Sequence, residues 1–110
     1  MNIADSADCD FTVWREICDC PGRLEELKNE YILLLKTNKY DHFNWYILGI
    51  MYYTEKDFFR AAKCFTNCIN MDKTVKKYFL GLAFSLRHMG KYEECDYILF
   101  NLNKLMRGGQ

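Results

Sequence analysis

The sequence predicts an all-helical protein built from antiparallel helix pairs, and three observations carry that prediction. Breakers are scarce: 110 residues include one proline and six glycines, and long side chains that helices tolerate are plentiful. Apolar residues recur at helical spacing, and no segment shows the alternation of a strand. One pattern of large and small residues also returns after 34 positions, as it does in stacked helical repeats.

The elements follow in order. Residues 1–20 are expected to form an arm and residues 21–110 a helical domain. The arm opens on an acidic, polar stretch, MNIADSADCD. Residues 11–18, FTVWREIC, can make a short helix with Phe11, Trp14 and Cys18 on one side, which Pro21 and Gly22 break. Arg23 to Lys36 reads as an amphipathic helix. Leu24, Leu27, Tyr31, Leu34 and Leu35 follow its apolar spacing, while Glu25, Lys28 and Asn29 lie elsewhere.

After a polar turn, a helix is expected from about His42 to Tyr53. Asp41 is its cap, because its carboxylate can accept a hydrogen bond from the open N–H groups of the first turn. Asp57 is placed to cap the next helix, about Phe58 to Asn70. Asp72 to Thr74 turn the chain into a helix over about Val75 to Met89, which Gly90 closes in the left-handed position. The last helix covers about Tyr92 to Met106, with Arg107-Gly108-Gly109-Gln110 as a tail.

Composition narrows the function. Half of the residues are hydrophobic and 16% aromatic, well above a disordered chain. Fifteen basic and fifteen acidic side chains cancel. The basic excess that phosphate contacts require is missing, so no nucleic-acid partner is expected. No run approaches the roughly 18 apolar residues of a membrane span, and no basic-then-apolar leader opens the chain. Six cysteines in that context read as reduced thiols. The expected setting is cytoplasmic, with the nucleus or the cytosolic face of an organelle included.

The repeat itself reads Trp45-x2-Leu48-Gly49-x2-Tyr52, then Ala61-x3-Phe65, then Cys68. This resembles the tetratricopeptide repeat, whose pattern is W-x2-L-G-x2-Y…A-x3-F…P. Each position through Phe65 is matched. Lys73 stands where the proline belongs, which loosens the turn without removing it. Thirty-four residues on, Trp45, Leu48, Gly49 and Tyr52 become Phe79, Leu82, Ala83 and Leu86. Phe58, Ala61, Phe65 and Cys68 become Tyr92, Cys95, Leu99 and Leu102. The small residues let paired helices approach, and the large ones fill the space around the contact. In the other direction, Leu27, Tyr31 and Leu34 fall on Ala61, Phe65 and Cys68. Residues 23–36 therefore read as the second helix of a degenerate earlier repeat. The resemblance implies a short right-handed superhelix of five to six helices.

The resemblance also implies a site. Partners of such arrays lie on the concave face, which the first helix of each pair lines. Here that face would carry Phe43, Tyr46, Ile50 and Tyr53, then Lys77, Leu80, Phe84 and Arg87. This is an apolar groove with a basic edge, suited to an amphipathic helix or extended peptide. The best-known site of the family clamps a C-terminal carboxylate with lysine, asparagine and arginine. Tyr46 and Ile50 occupy the places of the first lysine and asparagine, so that use is excluded. The implied function is a non-catalytic protein–protein interaction adaptor or scaffold. Phe11, Val13, Trp14 and Ile17 of the arm compete for the same groove. Two and a half repeats also need capping, a homodimer or a larger assembly to cover their ends.

Two narrower resemblances follow. Phe43-Asn44-Trp45-Tyr46, Tyr78-Phe79-Leu80-Gly81-Leu82-Ala83 and Lys91-Tyr92-Glu93 are similar to the repeats of mitochondrial fission adaptors. That family ends in a membrane anchor, whereas this chain stops at Gln110. Scaffold subunits of large tetratricopeptide assemblies, such as the anaphase-promoting complex, are comparably similar.

Reactive chemistry is weakly signalled. Cys18 and Cys20, with Cys9, offer a thiol or zinc alternative, but the spacing is poor and no second pair follows. His42 and His88 are far apart and read as helix-surface residues. Cys64, Cys68 and Cys95 read as buried, inert thiols. Glu25-Glu26 and Glu93-Glu94 sit in first turns, where negative charge suits the helix dipole. No phosphate loop or Ser–His–Asp arrangement is present, so neither an enzyme nor a cofactor is expected. Gly108-Gly109-Gln110 resembles the release-factor tripeptide, but a tail on a neutral chain does not supply that tripeptide's structured loop in a basic domain.

Overall fold

The structure, a computed structural model, describes residues 21–108. A single 3-10 turn over Pro21–Arg23 leads into α1 (Leu24–Thr37), α2 (His42–Thr54), α3 (Phe58–Met71), α4 (Lys76–His88) and α5 (Tyr92–Gly108). The described residues contain no strand. Each helix packs on its neighbours in chain order, α1 on α2, α2 on α3, α3 on α4 and α4 on α5. The arm expected over residues 1–20, with its cysteines and its apolar Phe11, Val13, Trp14 and Ile17, lies outside the described residues.

The caps act as the residue types dictate. Asp41 accepts a hydrogen bond from the Asn44 N–H at 3.1 Å, and Asp57 accepts one from the Arg60 N–H at 3.2 Å. Each satisfies a donor that the first turn leaves open. Gly90 adopts φ +79° and ends α4, with the Lys91 N–H returning to the Leu86 carbonyl at 2.9 Å. The same return closes α2, where the Asp57 N–H reaches the Tyr52 carbonyl at 2.9 Å. There the left-handed residue is Lys56, at φ 64°. Lys56 stands 34 residues before Gly90, so the repeat preserves the turn while replacing its glycine.

The turn without its proline is held another way. The Asp72 carboxylate accepts from the Thr74 N–H at 3.0 Å and from the Thr74 hydroxyl at 2.6 Å. This side-chain turn does the work expected of a proline at position 73. The Thr74 hydroxyl and N–H hold the Asp72 carboxyl below its ordinary range.

The core lies along the helix seams. Ile47, Leu48, Met51, Ala61, Phe65, Leu82, Ala83 and Leu86 are buried in one cluster. Phe65 is its pivot. A Cβ placed on Gly49 would meet the Phe65 ring at 2.8 Å, and one placed on Gly81 would meet the same ring at 2.8–2.9 Å. One aromatic ring thus sits against a glycine of its own repeat and a glycine of the next. Gly81 is a close-approach position that the pattern of the first repeat does not announce.

Three expectations need correction. Leu34 is exposed, while Ile32 packs on the core and Leu35 is buried beside Leu27. The run Ile32-Leu33-Leu34-Leu35 is apolar all round, so contact with α2 fixes which side turns in. Tyr92 and Leu99 are exposed as well, although their counterparts Phe58 and Phe65 are covered to a greater degree. The counterparts lie against α4, whereas no described helix follows α5. Third, His42 is not a plain surface residue: its Nδ1 lies 2.6 Å from the Tyr78 hydroxyl.

Candidate functional site

The inner face is built by α2 and α4, which run in the same direction. Lys77, near the start of α4, places its ammonium 5.4 Å from the Phe43 ring and 5.0 Å from the Tyr46 ring. Near the other end, Tyr53 packs edge-on to His88 at 5.5 Å, and His88 stacks on Phe58 at 4.4 Å. Between these ends, Leu80 and Phe84 lie on the α4 stripe at the same helical spacing as Lys77 and Arg87. Both are exposed, Phe84 to 48%.

The eight expected residues therefore divide. Leu80, Phe84 and Arg87 present surface. Phe43, Tyr46, Tyr53 and Lys77 are half-buried. Tyr46 tilts between Phe65 and Tyr78, with ring centroids 5.8 and 5.2 Å away, and so joins the face to the core. Ile50 is only 4% exposed and belongs to the core cluster, so it supports this face from beneath. His88 and Phe58 belong to the same edge and escaped the sequence reading. A ring stack between two helices leaves no signature in spacing.

The electrostatics are one-sided. Neither α2, HFNWYILGIMYYT, nor α4, KKYFLGLAFSLRH, contains a single carboxylate. α4 brings Lys76, Lys77, Arg87 and His88. The carboxylates lie elsewhere, as at Glu55, which pairs with Lys28 at 2.7 Å and ties α1 to the α2–α3 turn. Burial pulls the Lys28 ammonium down, but its hydrogen bonds to Glu55 and Glu25 prevail and leave it raised.

The thiols are placed for packing. Cys64, Cys68 and Cys95 are buried and free. Burial pushes the Cys64 thiol up to about 12 and the Cys68 thiol higher still. Cys68 donates to the His42 carbonyl at 3.2 Å. Thiols held protonated in this way are poor nucleophiles and poor metal ligands. Among the described residues, no three His, Cys, Asp or Glu side chains gather to hold a metal. Cys9, Cys18 and Cys20, the proposed thiol or zinc group, lie outside them. No described helix is long and apolar enough to cross a membrane.

A cleft of about 300 Å³ opens on a different surface, between Phe59, Ala62, Lys63, Thr66, Leu82, Leu86 and Lys91. It is at the lower limit for a small-molecule pocket, and Lys63, Thr66, Asn67 and Lys91 are its polar lining.

No protein-family model matches the chain. The chain is 26% identical over 94 residues to mouse N-alpha-acetyltransferase 16, NatA auxiliary subunit. That match covers 83% of this chain and 11% of the relative, so the chain spans about a tenth of the relative's length. Among solved structures, MamA from AMB-1 superposes with a TM-score of 0.68 at 18% identity, covering 90% of this chain and 68% of that one. MamA from MSR-1 gives 0.66 at 17%, covering 96% and 70%. These likenesses establish the fold, an all-helical repeat of the tetratricopeptide type.

Proposed function

We propose that the chain is a non-catalytic adaptor that holds an apolar peptide or amphipathic helix with acidic flanks along α2 and α4. The observation that carries this reading is the composition of those helices. They line one face with aromatic and aliphatic side chains, place lysine, arginine and histidine along it, and contain no carboxylate. An apolar anchor would rest on Leu80 and Phe84, while acidic residues would meet Lys77 and Arg87. Tyr46, Tyr53 and Phe43 form the wall, and Ile50 backs it.

Peptide display against the immobilised chain tests this. Selected peptides should combine large apolar residues with Asp or Glu, and Leu80→Asp with Phe84→Asp should abolish their binding. Both side chains are exposed, so the fold should survive. Equal binding to the double variant would move the site elsewhere.

A second reading is a module of a larger assembly, favoured by the similarity to an auxiliary subunit. The same groove would then hold a neighbouring subunit's segment. Mitochondrial fission adaptors, whose repeats α2 and α4 resemble, would present it at an organelle surface, and the peptide experiment applies there too.

A further inference from the structure

The outer face of α5 has no described helix against it. Phe65 on α3 is 2% exposed because the next helix covers it, whereas Leu99, its counterpart, is 39% exposed. Tyr92, Tyr97, Phe100 and Met106 are all more than half exposed on the same helix. Leu99 marks the counterpart of the α3–α4 seam, while Tyr97 and Phe100 lie on an outer stripe whose counterparts, Lys63 and Thr66, are exposed in the first repeat as well.

The charges on α5 are sorted along its length. Glu93, Glu94 and Asp96 occupy its first part, and Lys104 and Arg107 its last. At 3.6 residues per turn, Glu93, Asp96, Tyr97, Phe100, Lys104 and Arg107 fall on one stripe centred on Phe100. Lys104 already lies over the Phe100 ring, 5.6 Å from its centre.

We propose that a second copy of this chain docks on that stripe, α5 against α5, antiparallel about Phe100. The two Phe100 rings then meet. Glu93 faces the partner's Arg107, and Asp96 faces the partner's Lys104. A parallel pairing would set acid against acid and base against base. The antiparallel one also brings the positive end of each helix beside the negative end of the other. A foreign helix would have to supply this reversed charge order, whereas a two-fold axis supplies it from the same sequence. One helix of this length, about 25 Å, covers less than the roughly 800 Å² a side of stable complexes. The expected dimer is therefore weak.

Sedimentation velocity of the full chain from about 1 to 500 µM tests the proposal, with circular dichroism as a check on folding. E93K with D96K should weaken the dimer at least tenfold, and so should K104E with R107E. All four side chains are exposed, so helix content should hold. Mixing the two variants should restore a dimer containing one of each. A wild-type chain that stays monomeric throughout would overturn the proposal. So would a dimer that both reversals leave unchanged, or a mixture that fails to pair.

Discussion

Gly81→Ala probes the packing at the centre of the molecule. The new Cβ would lie 2.8–2.9 Å from three atoms of the Phe65 ring, well inside van der Waals contact. The ring has nowhere to retreat. It is 2% exposed, and on its other side a Cβ on Gly49 would likewise meet the ring at 2.8 Å. Two effects oppose each other. Alanine in place of glycine in a helix gains about 1 kcal/mol of propensity. Overpacking a filled core costs about 1–3 kcal/mol. Because the blocked atoms belong to a rigid ring held on both sides, overpacking should win, with a net loss of up to about 2 kcal/mol. Urea denaturation reads this as a lower midpoint at unchanged slope. In a Phe65→Leu background the clash is relieved, so Gly81→Ala should there be neutral or stabilising, and the double-mutant cycle should show the coupling. A rise in midpoint in the wild-type background would refute the reasoning. So would an equal loss in both backgrounds.

Other expectations follow from the turns and thiols. Lys56→Gly should stabilise the protein by about 0.5–1 kcal/mol, because φ 64° strains a side-chain-bearing residue; Gly90→Ala should cost about 1 kcal/mol, both read from thermal midpoints. Asp72→Ala should cost about 1 kcal/mol by removing both Thr74 hydrogen bonds that form the turn. Since the Asp72 carboxyl is depressed in the folded chain, its contribution should be present above the ordinary value of 3.8 and fade as pH falls below it. An acid titration in which wild type gained stability relative to Asp72→Asn as pH fell would show that sign to be wrong. Cys64 and Cys68 should resist alkylation in the native protein and label only in denaturant, as read by peptide mass spectrometry, because burial keeps both protonated.

Much of the fold was legible in the residues themselves. Asp41, Asp57 and Gly90 mark helix ends by mechanisms that act locally, and the 34-residue repeat adds which positions meet. What escaped depends on partners distant in sequence. The side of the Ile32–Leu35 run that turns inward is decided by α2. The closeness of Gly81 to Phe65 is decided by how one repeat stacks on the next. Lys56 is instructive because its alignment with Gly90 carries the signal for a left-handed residue, while its chemistry hides it. The candidate face was legible as a stripe, but its depth was not. Ile50 lies beneath it, and His88 and Phe58 complete its edge through a ring stack between two helices.

The inner face as the binding surface is best tested by photo-cross-linking in the native cell. A cross-linking residue at Phe84 samples that face, and one at Thr66 samples the opposite cleft; both positions are exposed. Binding along the inner face should give a discrete protein adduct from position 84, lost on adding a display-selected peptide, and none from position 66. An adduct from position 66 with none from position 84 would contradict it.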